Sequence, residues 1–168
     1  MGSMESNLII LRGNSGSGKT TIAKSIQDQL GKGTLLVSQD NVRREMLKVQ
    51  DREGNLSIDL IRQIAEYGKG RCEHTIVEGI LNKSRYGQML NDLIQFYGGK
   101  AYIFYFDLSF EETVKRHLSR DKKEEFGVDA LRKWWTPNDY LEVENEVKVT
   151  GHLTHTEIVD LILIQLQE

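Results

Sequence analysis

The stretch Gly13-Asn14-Ser15-Gly16-Ser17-Gly18-Lys19-Thr20 decides the fold of this chain. It satisfies G-x-x-x-x-G-K-[ST], the spacing of a turn whose backbone N–H groups wrap around phosphate oxygens. Gly13, Gly16 and Gly18 let the backbone curl tightly enough for that. A helical pattern follows, so the positive end of a helix dipole faces the same anion. Lys19 has the reach to touch β and γ phosphates, and the Thr20 hydroxyl suits Mg²⁺. The candidate nucleotide-binding set is therefore Gly13 to Thr20, with Thr21 behind it. The apolar run Asn7-Leu8-Ile9-Ile10-Leu11 leads in, as a buried strand does.

Outward from the loop, Ile22, Ile26 and Leu30 recur at spacing four, one apolar helix stripe ended by Gly31 and Gly33. Thr34 to Ser38 is a short apolar run with the look of a strand buried on both faces. Strand, loop, helix and strand within about thirty residues make a βαβ unit. The remaining chain repeats the alternation. Ser57 to Arg71 reads as a helix, His74 to Gly79 as a third strand, and Tyr86 to Tyr97 as a helix stopped by Gly98-Gly99. Ala101 to Phe106 is a fourth strand, Glu144 to Val149 a short fifth, and Ile158 to Leu166 a terminal helix. Ser109 with Glu112, and Thr154 with Glu157, fit capping boxes. Alternating strands and helices predict an α/β fold on a parallel sheet.

Composition bounds the function. With 168 residues the chain suggests a single domain; Met1 to Ser3 reads as an expression scar, leaving 4–168. Apolar residues at 39% and charged residues at 28% describe a globular protein. A net charge of −3 gives no global pull toward nucleic acid or anionic membrane. One cysteine, Cys72, excludes an internal disulfide and fits a reducing cytoplasm. No apolar run approaches the ~20 residues of a membrane span.

Chemistry-bearing residues gather at strand ends, the ligand edge of an open parallel sheet. Asp40 follows the second strand, at the start of a helix marked by Val42, Met46 and Val49. It is placed to cap that helix and, compatibly with capping, to take a proton from an attacking hydroxyl. Arg43 and Arg44, three and four residues on, either pair with Asp40 or Glu45 on the surface or hold a polar or anionic acceptor. Glu78 closes the third strand, where an acid contacts Mg²⁺ through water or contacts substrate. Arg116 and Arg120, spaced i, i+4, precede a charged segment and form an arginine-bearing lid over about 116–137. Both are candidates for phosphate contact. His152 is placed either beside the nucleotide base or plainly on the surface.

The phosphate loop, Asp40, Glu78 and the Arg116/Arg120 lid together resemble the small P-loop kinases. That division includes nucleoside, shikimate and gluconate kinases, chloramphenicol phosphotransferase, zeta-toxin kinases and polynucleotide 5′-kinases. Asp40-x-x-Arg43 is similar to the Asp-x-x-Arg of polynucleotide kinases and zeta toxins. Val77-Glu78-Gly79 looks closer to small bacterial kinases of uridine-kinase-like type. The resemblance implies a three-layer fold with a five-stranded parallel sheet ordered 2-3-1-4-5, helices on both faces and a short helical lid. It also implies ATP with Mg²⁺, a small-molecule acceptor, and Asp40 as general base. Glu78 departs from the more usual Asp. Phosphorylation of a nucleic-acid 5′-hydroxyl is an alternative that the acidic balance disfavours. A non-catalytic nucleotide-binding protein or a GTPase switch is another. Asp51-Arg52-Glu53-Gly54 fits D-x-x-G, but in a polar loop, and Asn82-Lys83-Ser84-Arg85 breaks N-K-x-D at its last position.

Overall fold

The computed structural model describes residues 5–118, 129, 132–133 and 135–167. Strands β1 (Asn7–Gly13), β2 (Leu35–Ser38), β3 (His74–Gly79), β4 (Ala101–Asp107) and β5 (Glu146–Thr150) form one sheet ordered β2-β3-β1-β4-β5. Every pairing is parallel. The helices are α1 (Lys19–Leu30), α2 (Leu56–Gly68), α3 (Lys83–Phe96), α4 (Phe110–Leu118) and α5 (His155–Leu166).

The alternation of β1 builds two cores, because successive side chains of a strand point to opposite faces. Leu8 and Ile10 pack with Ile61 and Ala65 of α2 and Tyr86, Leu90 and Leu93 of α3. Ile9 and Leu11 pack with Ile22 and Ile26 of α1 and Ile158 and Ile162 of α5. Burial on both faces explains why β1 reads as an unbroken apolar run. The expected strand order, including the reversal at β1, is observed. That reversal opens a crevice at the carboxyl ends of β1 and β3, where the phosphate loop emerges.

Three local expectations are adjusted. β5 begins at Glu146 rather than Glu144, and α2 ends at Gly68 rather than Arg71. At Gly68 a Cβ would sit 2.1 Å from Thr75 Oγ1, so the helix end lies hard against β3. The segment after Asp40 is a π-helix, Asn41–Leu47, ended by Lys48 in the left-handed region. Its i→i+5 hydrogen bonding widens the turn and swings Leu47 toward the side of buried Val42. Leu47 packs on the core while Met46 is 54% exposed.

Candidate active site

β1 delivers the phosphate loop at the middle of the sheet. Gly13 lies so close to β4 that a Cβ would come within 2.9 Å of the Phe106 carbonyl oxygen. Only glycine fits there, and the chain turns away from the sheet at once. Lys19, first residue of α1, is buried; its Nζ donates to the Asn14 carbonyl (2.7 Å) and to Ser17 Oγ (3.0 Å). The ammonium thus sits inside the loop it serves. Thr20 follows on α1, and its Oγ1 donates toward both oxygens of Glu78, at 3.2 and 3.3 Å.

The register of the sheet places the acids. Glu78 pairs with Leu11 on one side and Ser38 on the other. It therefore lies between the strand that leads to Gly13 and the strand that leads to Asp40. Glu78 is 2% exposed. A buried carboxylate needs hydrogen-bond donors or a cation; the Thr20 hydroxyl is one such donor. Among the described residues no group of three His, Cys, Asp or Glu comes together as a protein-only metal site. The pair Thr20 and Glu78 matches Mg²⁺, which keeps several waters and takes few protein ligands.

Asp40 stands at the open side. Its side chain is 64% exposed and 3.7 Å from both Arg43 Nη2 and Arg44 Nε. Its backbone is already helical and its side chain makes no cap hydrogen bond, so the expected capping is not what the structure shows. Arg43 is largely buried; Nη1 donates to the Val49 carbonyl (3.2 Å). Its Nε is buried with no hydrogen-bond partner among the described residues.

From the other side, Arg116 on α4 reaches over the loop. Its Nη1 donates to the Ser17 carbonyl (3.1 Å), and its Nε to Glu112 (3.3 Å). Arg120, the second lid arginine expected from spacing, lies outside the described residues, as does much of 116–137. Trp135 stacks edge-on against Phe110.

Several residues have settled structural duties. Asp107 accepts from the Tyr140 hydroxyl (2.9 Å). Asp51, in the D-x-x-G match, accepts from the Tyr86 hydroxyl (2.7 Å) and pairs with Arg85 (3.5 Å), the residue that breaks N-K-x-D. His152 is exposed.

Sequence reasoning missed a buried cation beside the site. Arg12, the last residue before Gly13, is 0% exposed. Its guanidinium donates to the Leu81 carbonyl, to the Asp139 carbonyl and carboxylate, and stands 3.6 Å from Glu146. Tyr105 adds its ring at 5.4 Å and accepts from the Asp139 N–H. Burial pushes the Tyr105 phenol above its ordinary value. An arginine inside an apolar strand was the available signal.

Residues 8–135 match the family model of an AAA domain (AAA_33). No curated protein matches the chain in sequence. Among solved structures, APS kinase from Mycobacterium tuberculosis, in complex with AMPPNP and APS, superposes with a TM-score of 0.71 at 15% identity, covering 98% of this chain and 99% of that one. A gluconokinase from Sinorhizobium meliloti 1021 gives 0.68 at 19% identity, covering 98% and 93%. The tunicamycin resistance protein of Deinococcus radiodurans gives 0.67 at 18%, covering 96% and 95%. The chain belongs to this AAA domain family and carries the fold of the small P-loop kinases.

Proposed function

We propose that the protein transfers the γ-phosphoryl group of MgATP to a hydroxyl of a small-molecule acceptor. One observation carries the reading. Glu78, in contact with Thr20 of the phosphate loop, pairs in register with Ser38, two residues short of Asp40. A pair suited to Mg²⁺ and an exposed carboxylate therefore follow from the carboxyl ends of neighbouring strands. The gluconokinase and APS kinase neighbours act on small acceptors, which supports the same class here.

Mg²⁺, when bound, neutralises phosphate charge and fixes the terminal phosphoryl group. Thr20 and Glu78 are the residues that would hold it. Lys19 and the loop amides grip the polyphosphate, and Arg116 adds positive charge from α4. Asp40 takes the proton from the acceptor hydroxyl onto a carboxylate oxygen. Arg43 and Arg44 keep that carboxylate in place, and the half-exposed Arg44 guanidinium is a donor for a polar or anionic acceptor group.

The test is ADP production from MgATP with nucleosides, sugars, aminoglycosides and 5′-hydroxyl oligonucleotides as acceptors. Turnover with at least one small molecule is expected. Turnover with oligonucleotides alone would move the assignment to a polynucleotide kinase. No ADP above background with any acceptor would defeat it.

A further inference from the structure

Gln39 sits between Ser38, the last residue of β2, and Asp40, and it is only 2% exposed. Its side chain fills the space left by a glycine: a Cβ on Gly79 would lie 2.5 Å from the Gln39 Cβ and Oε1. The Oε1 accepts the N–H of Leu81 at 3.0 Å. The Leu81 carbonyl in turn accepts Arg12 Nη2 at 2.9 Å and Nε at 3.3 Å. Both backbone groups of one residue are thus held by buried side chains from β1 and from the end of β2. Leu81 is in the left-handed region, at φ 44°. That conformation is strained for a non-glycine residue and persists only where the surroundings over-determine it.

These bonds form a continuous chain. Arg12 precedes the phosphate loop; Leu81 follows Glu78 and Gly79; Gln39 precedes Asp40. We propose that Gln39 is a positioning residue, tying Asp40 through the backbone of Leu81 to Arg12 and so to the phosphate loop. The inference rests on the kinase reading above. Gln39 touches neither nucleotide nor acceptor in this assignment; it sets the distance between the carboxylate and the phosphate-binding turn. Phosphoryl transfer depends on that distance, since a misplacement of about 1 Å costs about 100-fold in rate.

The experiment compares wild type, Gln39→Met and Gln39→Glu. Methionine keeps the length and loses the acceptor oxygen; glutamate keeps an oxygen within reach of the Leu81 N–H. Nucleotide affinity is read with mant-ATP, and kcat with the panel acceptor that wild type turns over fastest. Gln39→Met is expected to lower kcat about 10- to 100-fold, with mant-ATP Kd within about twofold of wild type. Gln39→Glu is expected to regain most of that loss. An unchanged kcat in Gln39→Met overturns the proposal. So does a parallel loss of kcat and nucleotide affinity, or a glutamate variant no better than methionine. If the methionine variant does not fold, Gln39→Ala takes its place in the same comparison. Wild type that neither binds mant-ATP nor makes ADP removes the kinase reading itself, a result distinct from all of these.

Discussion

The Asn14 side chain clasps both backbone groups of Thr136. Its Nδ2 donates to the Thr136 carbonyl at 2.6 Å, and its Oδ1 accepts the Thr136 N–H at 2.8 Å. Two loops 122 residues apart in sequence are thereby fastened together. The Asn14 carbonyl, meanwhile, receives the Lys19 ammonium. Asn14→Ala removes two hydrogen bonds and is expected to destabilise the fold by about 1–3 kcal/mol. Urea denaturation checks it, with Trp fluorescence reporting on neighbouring Trp135.

Asp40→Asn keeps size and removes the proton acceptor. A drop in kcat of about 10²–10⁴ is expected, the usual contribution of a general base. Mant-ATP affinity should stay near wild type, because Asp40 is not in the phosphate loop. Lys19→Ala should lower affinity and turnover together. Loss of nucleotide binding in Asp40→Asn would refute the role given to that carboxylate.

Glu78→Gln leaves the strand end and the Thr20 hydroxyl in place while removing charge. The Mg²⁺ concentration giving half-maximal activity is expected to rise about 10- to 100-fold. Titrating MgCl₂ at fixed ATP measures it directly. An unchanged requirement would assign Glu78 to the substrate instead.

Arg12→Met strips a cation from two carboxylates. Asp139 and Glu146 keep 20% and 6% side-chain exposure. Breaking a buried pair from one side costs about 3–5 kcal/mol, so the variant should unfold at much lower denaturant. Replacing Glu146 by Gln in the same background should recover part of the loss.

His74, heading β3, gives a pH dependence with a defined sign. Burial holds its pKa below 6.5, and Glu73 at 3.7 Å opposes this in part. The unfolded chain therefore binds the proton more readily than the folded one. This contribution is complete above about pH 6.5 and is lost as pH falls through the window beneath it. Thermal midpoints should fall from pH 7.5 to 5.5, and His74→Gln should flatten that slope.

Much of this was legible in the chain itself because the signals were local. The phosphate loop is eight consecutive residues, and the apolar runs of β1, β3 and β4 mark strands covered on both faces. Asp40 and Glu78 were singled out by their places at strand ends, and Arg116 by its i, i+4 spacing to Arg120. What escaped depends on long-range pairing. Arg12 meets Leu81 and Asp139 at separations of 69 and 127 residues, and no spacing rule connects them. The π-helix was hidden for another reason. Val42 is followed by apolar residues at both i+4 and i+5, Met46 and Leu47, so the pattern alone does not choose the repeat.

The guanidinium under the phosphate loop has a consequence for how this scaffold can change. Arginine stays protonated at any pH the fold survives, so its countercharges cannot be exchanged one at a time. Arg12, Asp139 and Glu146 form a block whose members must mutate jointly. Variant libraries on this scaffold should hold those three codons fixed and spread diversity over exposed positions such as Arg44 and Met46.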